Sequence, residues 1–367
     1  MGRIVIEGVG VVGGFGGGAH DLSRALTGSA CSPGTLELST GSGPVTIPAF
    51  RADVSRLEEF LPARTLRRID HFSRLGLLGS HLALADAELP EAERPRLGIV
   101  IASGYGATGS TYAFLKSFIS DGDIGASPTS FSSSVHNAAA AHISIQLGAK
   151  GPNLTVSDVH LSVPSALATA RIWLAEGRVQ RVLFGAVDEL SELIGYIRHR
   201  TRDASPAGPM TPLRTEMETS IPGEGAAFLL LARESASRGG YCTLDASTTG
   251  SLPIPGLPFP EPGLLILGAD GCRESGRRYA TVARNARVAC YTPLYGSMPA
   301  GPAFDLAAAA LILKGGRVYP SPGGGFLDFP ATVPVGGEPV GADRVSCLTL
   351  AVDEAYGLTT LGRVEPQ

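Results

Sequence analysis

The sequence predicts an α/β protein built as two related halves, with its sheets covered on both faces. Three observations carry this. Short apolar, β-branched runs alternate with helix-period segments along the whole chain. The strand-like runs are continuously apolar instead of alternating, which marks sheets packed on both sides. One strand, sharp turn and Ala-rich helix pattern occurs twice in the same order.

The first strand, over 4–12, is an Ile/Val run interrupted by glycine. Runs of Val, Ile, Leu and Ala predict strands over 97–102, 154–159, 179–186 and 226–232, then over 264–267, 289–292 and 346–352. Helical spacing predicts helices over 63–85, 108–120, 134–147, 163–176 and 303–314, with a short one beginning near Asp21. The repeat joins these elements. Residues 153–177 read strand, turn, Ala-rich helix and Gly, and 290–315 read the same. Residues 181–190 and 344–355 follow, and each runs a strand into Ala-Val-Asp-Glu. The division expected is 1–240 and 241–367, with the Pro/Gly-rich stretch 250–263 as a surface loop. Helices that enter directly off strand ends are where open α/β sheets place ligands.

Composition excludes several classes. With 44% hydrophobic and 17% charged residues among 367, the chain can bury a core, so disorder is excluded. The 48 glycines and 27 prolines follow no period, which excludes a collagen-like chain. Net charge is −4 with no long basic run, so neither nucleic acid nor a membrane surface is an expected partner. Apolar stretches such as 307–313 are far too short to span a bilayer. The opening strand-like run lacks a signal-peptide pattern, and a cytoplasmic location is expected. Five cysteines (Cys31, Cys242, Cys272, Cys290, Cys347) are odd in number and widely spaced, without CxxC, so reduced thiols are expected and not a disulfide framework or zinc site. GxSxG, P-loop and HExxH motifs are absent, and no metal or cofactor is expected. Gly8, Gly10 and Gly13 form GxGxxG after a strand, but the second strand and acidic residue of a dinucleotide site do not follow. They read as a glycine-rich exit from a buried strand.

The most informative stretch is 127–167, SPTSFSSSVHNAAAAHISIQLGAKGPNLTVSDVHLSVPSAL. Ser127-Pro128, Asn137 with its Ala-rich helix, Gly148-Ala-Lys-Gly151-Pro152, the Thr-Val strand and Ala166-Leu167 resemble the β-ketoacyl synthases of the thiolase-fold superfamily. FSSSVHNAAAA is most similar to the branch found in aryl-polyene and highly reducing type II polyketide systems. The resemblance runs over most of the chain. It implies a thiolase fold, two related βαβαβ-type halves in αβαβα layers, and so accounts for the internal repeat.

It also implies a site. A ketosynthase needs a thiolate at a strand-to-helix turn, where the helix N-terminus lowers its pKa. Two histidines assist decarboxylation and stabilise the enolate oxygen. The resemblance places His160 at the cysteine position, Asp270 at the first histidine and Ser297 at the second. Residues 351–354, Ala-Val-Asp-Glu, stand where the family has a glycine-rich Phe loop. An imidazole cannot carry the thioester intermediate, and a carboxylate at 270 repels an enolate. The resemblance therefore implies a subunit that does not catalyse on its own. It points to a chain length factor, or ketosynthase β subunit, of a type II polyketide synthase. Such a subunit pairs with a catalytic ketosynthase α subunit as a heterodimer, and an acyl carrier protein brings the polyketide chain. Tyr105, Thr108, Thr111, Leu115 and Ser130 are the implied tunnel wall, and Thr108, Thr111 and Leu115 share a helix face. Two alternatives stay open: a thiolase-fold acyltransferase with relocated catalysis using Cys272 or His160, and a homodimeric acyl-binding protein. His142 and Trp173 read as packing residues.

Overall fold

The computed structural model describes residues 2–28, 31–201, 208–254, 263–341 and 343–364. In chain order these form β1 (Ile4–Gly13), β2 (Gly16–Gly17), α1 (Ala19–Leu26), β3 (Gly34–Thr40), β4 (Gly43–Ala49), α2 (Ala63–Leu66) and α3 (His71–Asp86). There follow β5 (Gly98–Ser103), α4 (Thr108–Gly125), α5 (Pro128–Ser133), α6 (Ala138–Leu147), β6 (Asn153–Ser157), α7 (Ser162–Ala175), β7 (Arg181–Asp188), α8 (Glu192–Thr201) and β8 (Gly225–Arg233). The remainder forms β9 (Cys242–Ser251), β10 (Leu264–Leu267), α9 (Arg273–Val282), β11 (Arg287–Ala289), α10 (Gly301–Gly315), β12 (Arg344–Leu350) and β13 (Ala355–Gly362).

The strands lie in the order β6-β5-β7-β8-β1-β9-β13-β12-β10-β11. Read outward from the β1–β9 junction, each five-strand array runs first, fifth, fourth, second, third. In each, the second strand is parallel to the third and fourth, and the fifth is antiparallel to the fourth and first. Among the described residues the arrays pair at Val5–Thr243 and Ile6–Cys242. The repeat seen in the sequence falls on equivalent elements: β6–α7 and β11–α10 are third strand plus helix, and β7 and β12 are the fourth strands.

Helices α7 and α10 each pack on strands of both arrays and form the central layer. Helix α10 is buried nearly all round, with Ala303, Phe304, Leu306, Ala307, Ala310 and Leu313 in the core. A helix apolar on every side belongs in such a layer, and each large side chain fully buried there contributes about 1.5–3 kcal/mol. Helices α3 and α6 cover the outer face of the first array and α9 that of the second, each with its own core. The layers are therefore αβαβα. Gly8 and Gly10 lie inside β1, where a Cβ would come within 2.4 Å of the Ala83 carbonyl oxygen and 2.2 Å of the Ala83 amide nitrogen. These glycines let α3 approach the strand, and their spacing is a packing requirement.

Several boundaries differ from expectation. The helix over 63–85 is two, because Asp70 caps α3 by accepting from the Ser73 amide at 2.9 Å. The helix expected from 134 starts at Ala138, and Ser127-Pro128 opens the separate α5. Ser, His and Asn at 134–137 compete for backbone hydrogen bonds and favour a junction. The strand over 289–292 stops at Ala289, since Thr292-Pro293 begins a 3₁₀ turn. The 154–159 strand stops at Ser157, whereas α4 outruns its expected end at 120 and reaches Gly125. The hairpin β3–β4, β9, β13, α8 and α9 were not anticipated. Of the expected loop 250–263, Gly250 and Ser251 complete β9, and 255–262 lie outside the described residues.

The two outer edges differ. Residues 330–332 run along β11, with the Val288 amide donating to the Thr332 carbonyl at 2.8 Å and the Thr332 amide to Ala286 at 3.0 Å. The outer edge of β6 has no strand beside it among the described residues.

Candidate functional site

The turns that leave the carboxyl ends of β5, β6, β10, β11 and β12 converge. They place Tyr105, His160, Asp270, Ser297 and Val352 around one cavity of about 270 Å³. This is the end of a parallel arrangement where open α/β sheets present ligand-binding loops. Two glycines shape it. Gly271 and Gly296 have φ of 77° and 81°, in the left-handed region. A Cβ on Gly296 would also sit 2.8 Å from the Gly223 Cα. Ser297 is fixed behind that turn: its amide donates to the Ile221 carbonyl at 2.7 Å, and its carbonyl accepts from Gly223 at 3.1 Å.

Inside the cavity an arginine from α8 links the pieces. Arg198 Nη1 donates to Tyr105 Oη at 3.1 Å. Its Nη2 donates to Ser297 Oγ at 2.6 Å and to Ser220 Oγ at 3.1 Å. Ser297 Oγ donates in turn to Asp270 Oδ2 at 3.1 Å, while Asp270 Oδ1 accepts from the Cys272 amide at 3.1 Å. The three sequence-selected positions thus line one cavity, and two of them are bonded to each other. His160 is exposed at the entry to α7, its backbone amide held by Asp158 Oδ1 at 3.1 Å. No thiol stands at that helix entry. The Ser297 hydroxyl donates to a carboxylate and accepts from a guanidinium, and the two bonds fix its orientation.

The residues expected to wall a tunnel spread out. Tyr105 lines the cavity; Thr108, Thr111, Leu115 and Ser130 lie outside it. Thr108 Oγ1 meets Ser191 Oγ at 2.9 Å, and Thr111 Oγ1 donates to the Ala107 and Ser134 carbonyls at 3.0 and 3.1 Å. The Ser130 amide donates to Ser127 Oγ at 3.2 Å. Leu115 is 47% exposed and shares an apolar surface with Tyr112, Phe118, Ile119 and, from α5, Phe131. Cys272 lines the cavity, and all five cysteines are free thiols. Trp173 is in the core, and His142 is half-buried.

Sequence reasoning missed Arg198, Ser220 and the acids beneath the site. Arg198 sits in a basic helix end, Arg198-His-Arg200, which reads as a solvated terminus. Asp188 is fully buried, and its Oδ1 accepts from Ser103 Oγ at 2.9 Å and from the Gly104 and Tyr105 amides at 3.0 and 2.7 Å. Burial pushes this carboxyl up to about 6 against those bonds. Glu224 accepts from Arg51 Nε at 2.8 Å and the Leu190 amide at 3.0 Å, with His71 Nε2 at 3.1 Å. Burial works against its charge, but His71 and Arg51 outweigh it and hold the carboxyl below its ordinary value. The signal that could have found Glu224 is its setting, an acid between two glycines directly before a continuous apolar strand.

Duplicated arrays in αβαβα layers, with turns converging on one cavity, are the thiolase-fold ketosynthase architecture. The chain belongs to the β-ketoacyl synthase family: residues 1–237 match its N-terminal domain. It is 23% identical over 237 residues to 3-oxoacyl-(acyl-carrier-protein) synthase 2 of Vibrio cholerae, covering 62% of this chain and 57% of that one. It is 29% identical over 204 residues to putative polyketide beta-ketoacyl synthase 1 of Streptomyces virginiae, covering 52% and 48%. The matches thus span about half the length of these curated relatives. Among solved structures, the ishigamide ketosynthase/chain length factor superposes with a TM-score of 0.83 at 16% identity, over 99% of this chain and 100% of that one. No helix among the described residues is long and apolar enough to cross a membrane, and no group of three His, Cys, Asp or Glu there could hold a metal ion.

Proposed function

We propose that this chain is a non-catalytic ketosynthase-like β subunit, a chain length factor. It pairs with a catalytic ketosynthase α subunit, walls the acyl tunnel and sets polyketide length, the chain arriving on an acyl carrier protein. The observation that carries this reading is the Arg198–Ser297–Asp270 network. It lies at the positions that the resemblance assigns to the family's histidines, and His160, which the resemblance assigns to the thiolate, lines the same cavity. The exposed apolar surface of α4 and α5 supports a partner on that side, since patches of this kind mark protein contacts. The proposed units are 1–240 and 241–367.

The test is co-expression with a type II ketosynthase α subunit and measurement of native mass and product length. A one-to-one complex is expected. Replacing Thr108 or Thr111 with Trp should shorten products by one or more two-carbon steps, because bulk in a wall turns the gain of about 0.8 kcal/mol per buried CH₂ into a clash. Homodimers that ignore the ketosynthase would overturn the reading.

One observation favours a second reading: Cys272 lines the same cavity. If it were a relocated nucleophile, incubation with an acyl thioester would add an acyl mass to the chain, and Cys272→Ala would abolish the adduct.

A further inference from the structure

Helix α4 is held to the protein in an unusual way. It runs for 18 residues without burying one, breaks helical geometry at Gly122, and has no side-chain cap of its own at Ala107. Such a helix draws little from packing, and its orphan amide groups need outside acceptors. The Gly109 amide finds one at the end of β7, where two further contacts hold the start of the helix. Glu189 accepts from the Gly109 amide, Ser191 Oγ meets Thr108 Oγ1, and Asp188 holds the turn that leads into the helix. Glu189 is only 5% exposed. It faces a cavity of about 540 Å³ under the β3–β4 hairpin, shared with Glu37, Arg51, His71 and Glu192. Asp70, His71 and Glu224 act on its charge.

We propose that Glu189 is the positioning residue for α4, and that its ionisation state sets how firmly the helix is anchored. A buried carboxylate whose burial outweighs the help of one backbone amide and of His71 gains by reaching water. Charging it favours opening of the cleft between α4 and the hairpin, and neutral Glu189 favours the closed arrangement. Burial raises this carboxyl to about 7. The closed state is therefore firm in mild acid and loosens as pH rises through neutrality. Because α4 carries Thr108, Thr111 and Leu115, the anchor also positions the tunnel wall, a consequence that rests on the chain-length reading above.

The experiment is hydrogen exchange of the full chain, read as protection factors for residues 107–118 at pH 6 and pH 8.5. Wild-type protection should fall about tenfold or more across that range, one pKa unit of coupling being tenfold. Glu189→Gln should keep the pH 6 protection at both values, since an amide still accepts from Gly109 and cannot ionise. Glu189→Ala should lose protection at both. His71, which faces the same cavity and against its burial is raised by Glu224 into this window, serves as control, and His71→Gln should retain the fall. A fall that persists in Glu189→Gln, or vanishes only in His71→Gln, overturns the proposal, as does unaltered protection in Glu189→Ala. Product lengths from the co-expressed complex separate the two claims. Altered protection with unaltered products leaves the anchor standing and overturns the wall reading. Unaltered protection overturns the anchor whatever the products.

Discussion

Asp188 accepts three hydrogen bonds on one oxygen, and two come from backbone amides of the Ser103–Tyr105 turn. Those two amides meet no other acceptor among the described residues. Asp188→Ala should therefore cost about 2–4 kcal/mol of unfolding free energy, since each buried donor left unpaired costs about 1–3 kcal/mol. Urea denaturation checks this; a loss below 1 kcal/mol would show that the turn holds itself. Asp188→Asn keeps an acceptor and should cost less. The sequence marked this residue only as part of a repeated Ala-Val-Asp-Glu. In the structure the two copies do different work: Asp188 and Glu189 are buried anchors, whereas Val352 and Asp353 sit on the exposed β12–β13 turn. Repetition located the strands but did not separate an internal acid from an external one, because that depends on what packs above each turn.

Elements with one strong local signal were legible, and those defined by their partners were not. The continuous apolar runs of β1, β5, β7 and β8 were read within two residues of their observed limits. The Thr/Ser-rich β9 and the polar β3–β4 hairpin were missed, since their partly exposed faces carry no apolar run. Helix α3 was joined to α2 because hydrophobic spacing continues across Asp70, and the cap that divides them is a single side-chain bond. That cap gives a prediction at this scale. Asp70→Ala should destabilise by about 1 kcal/mol, seen as a lowered urea midpoint. An unchanged midpoint would mean that packing of α3 on β1 and β8 alone defines its start. At the site, the resemblance brought His160, Asp270 and Ser297 together from three loops, the first more than a hundred residues from the other two. Arg198 escaped because a long-range hydrogen bond leaves no periodicity in a sequence.

Across the whole molecule, buried acids set the response to pH. Burial lifts Asp305 to about 8 despite the Tyr295 hydroxyl that donates to it at 2.6 Å. Asp188 lies at about 6 and Glu189 at about 7. Each is raised above its ordinary value, so each contributes stability that is present in acid and lost as pH rises through 6 to 8. The melting temperature should fall between pH 5.5 and 8.5, and Asp305→Asn should flatten that decline by a few degrees. An identical slope in the variant would mean that Asp305 is already ionised throughout the range.

The sheet has ten strands in line, and its two ends are not alike. Residues 330–332 occupy the hydrogen-bonding groups along β11, while those along β6 face outward. A sheet with two bare ends can add copies indefinitely and grow into a fibre. One with a single bare end can be extended once. When β6 of one chain lies beside the corresponding strand of another, both ends of the joined sheet are covered β11-type ends, and growth stops. The few residues over β11 thus act as a chain terminator: they make assembly through the edge of this ten-strand sheet a closed pair.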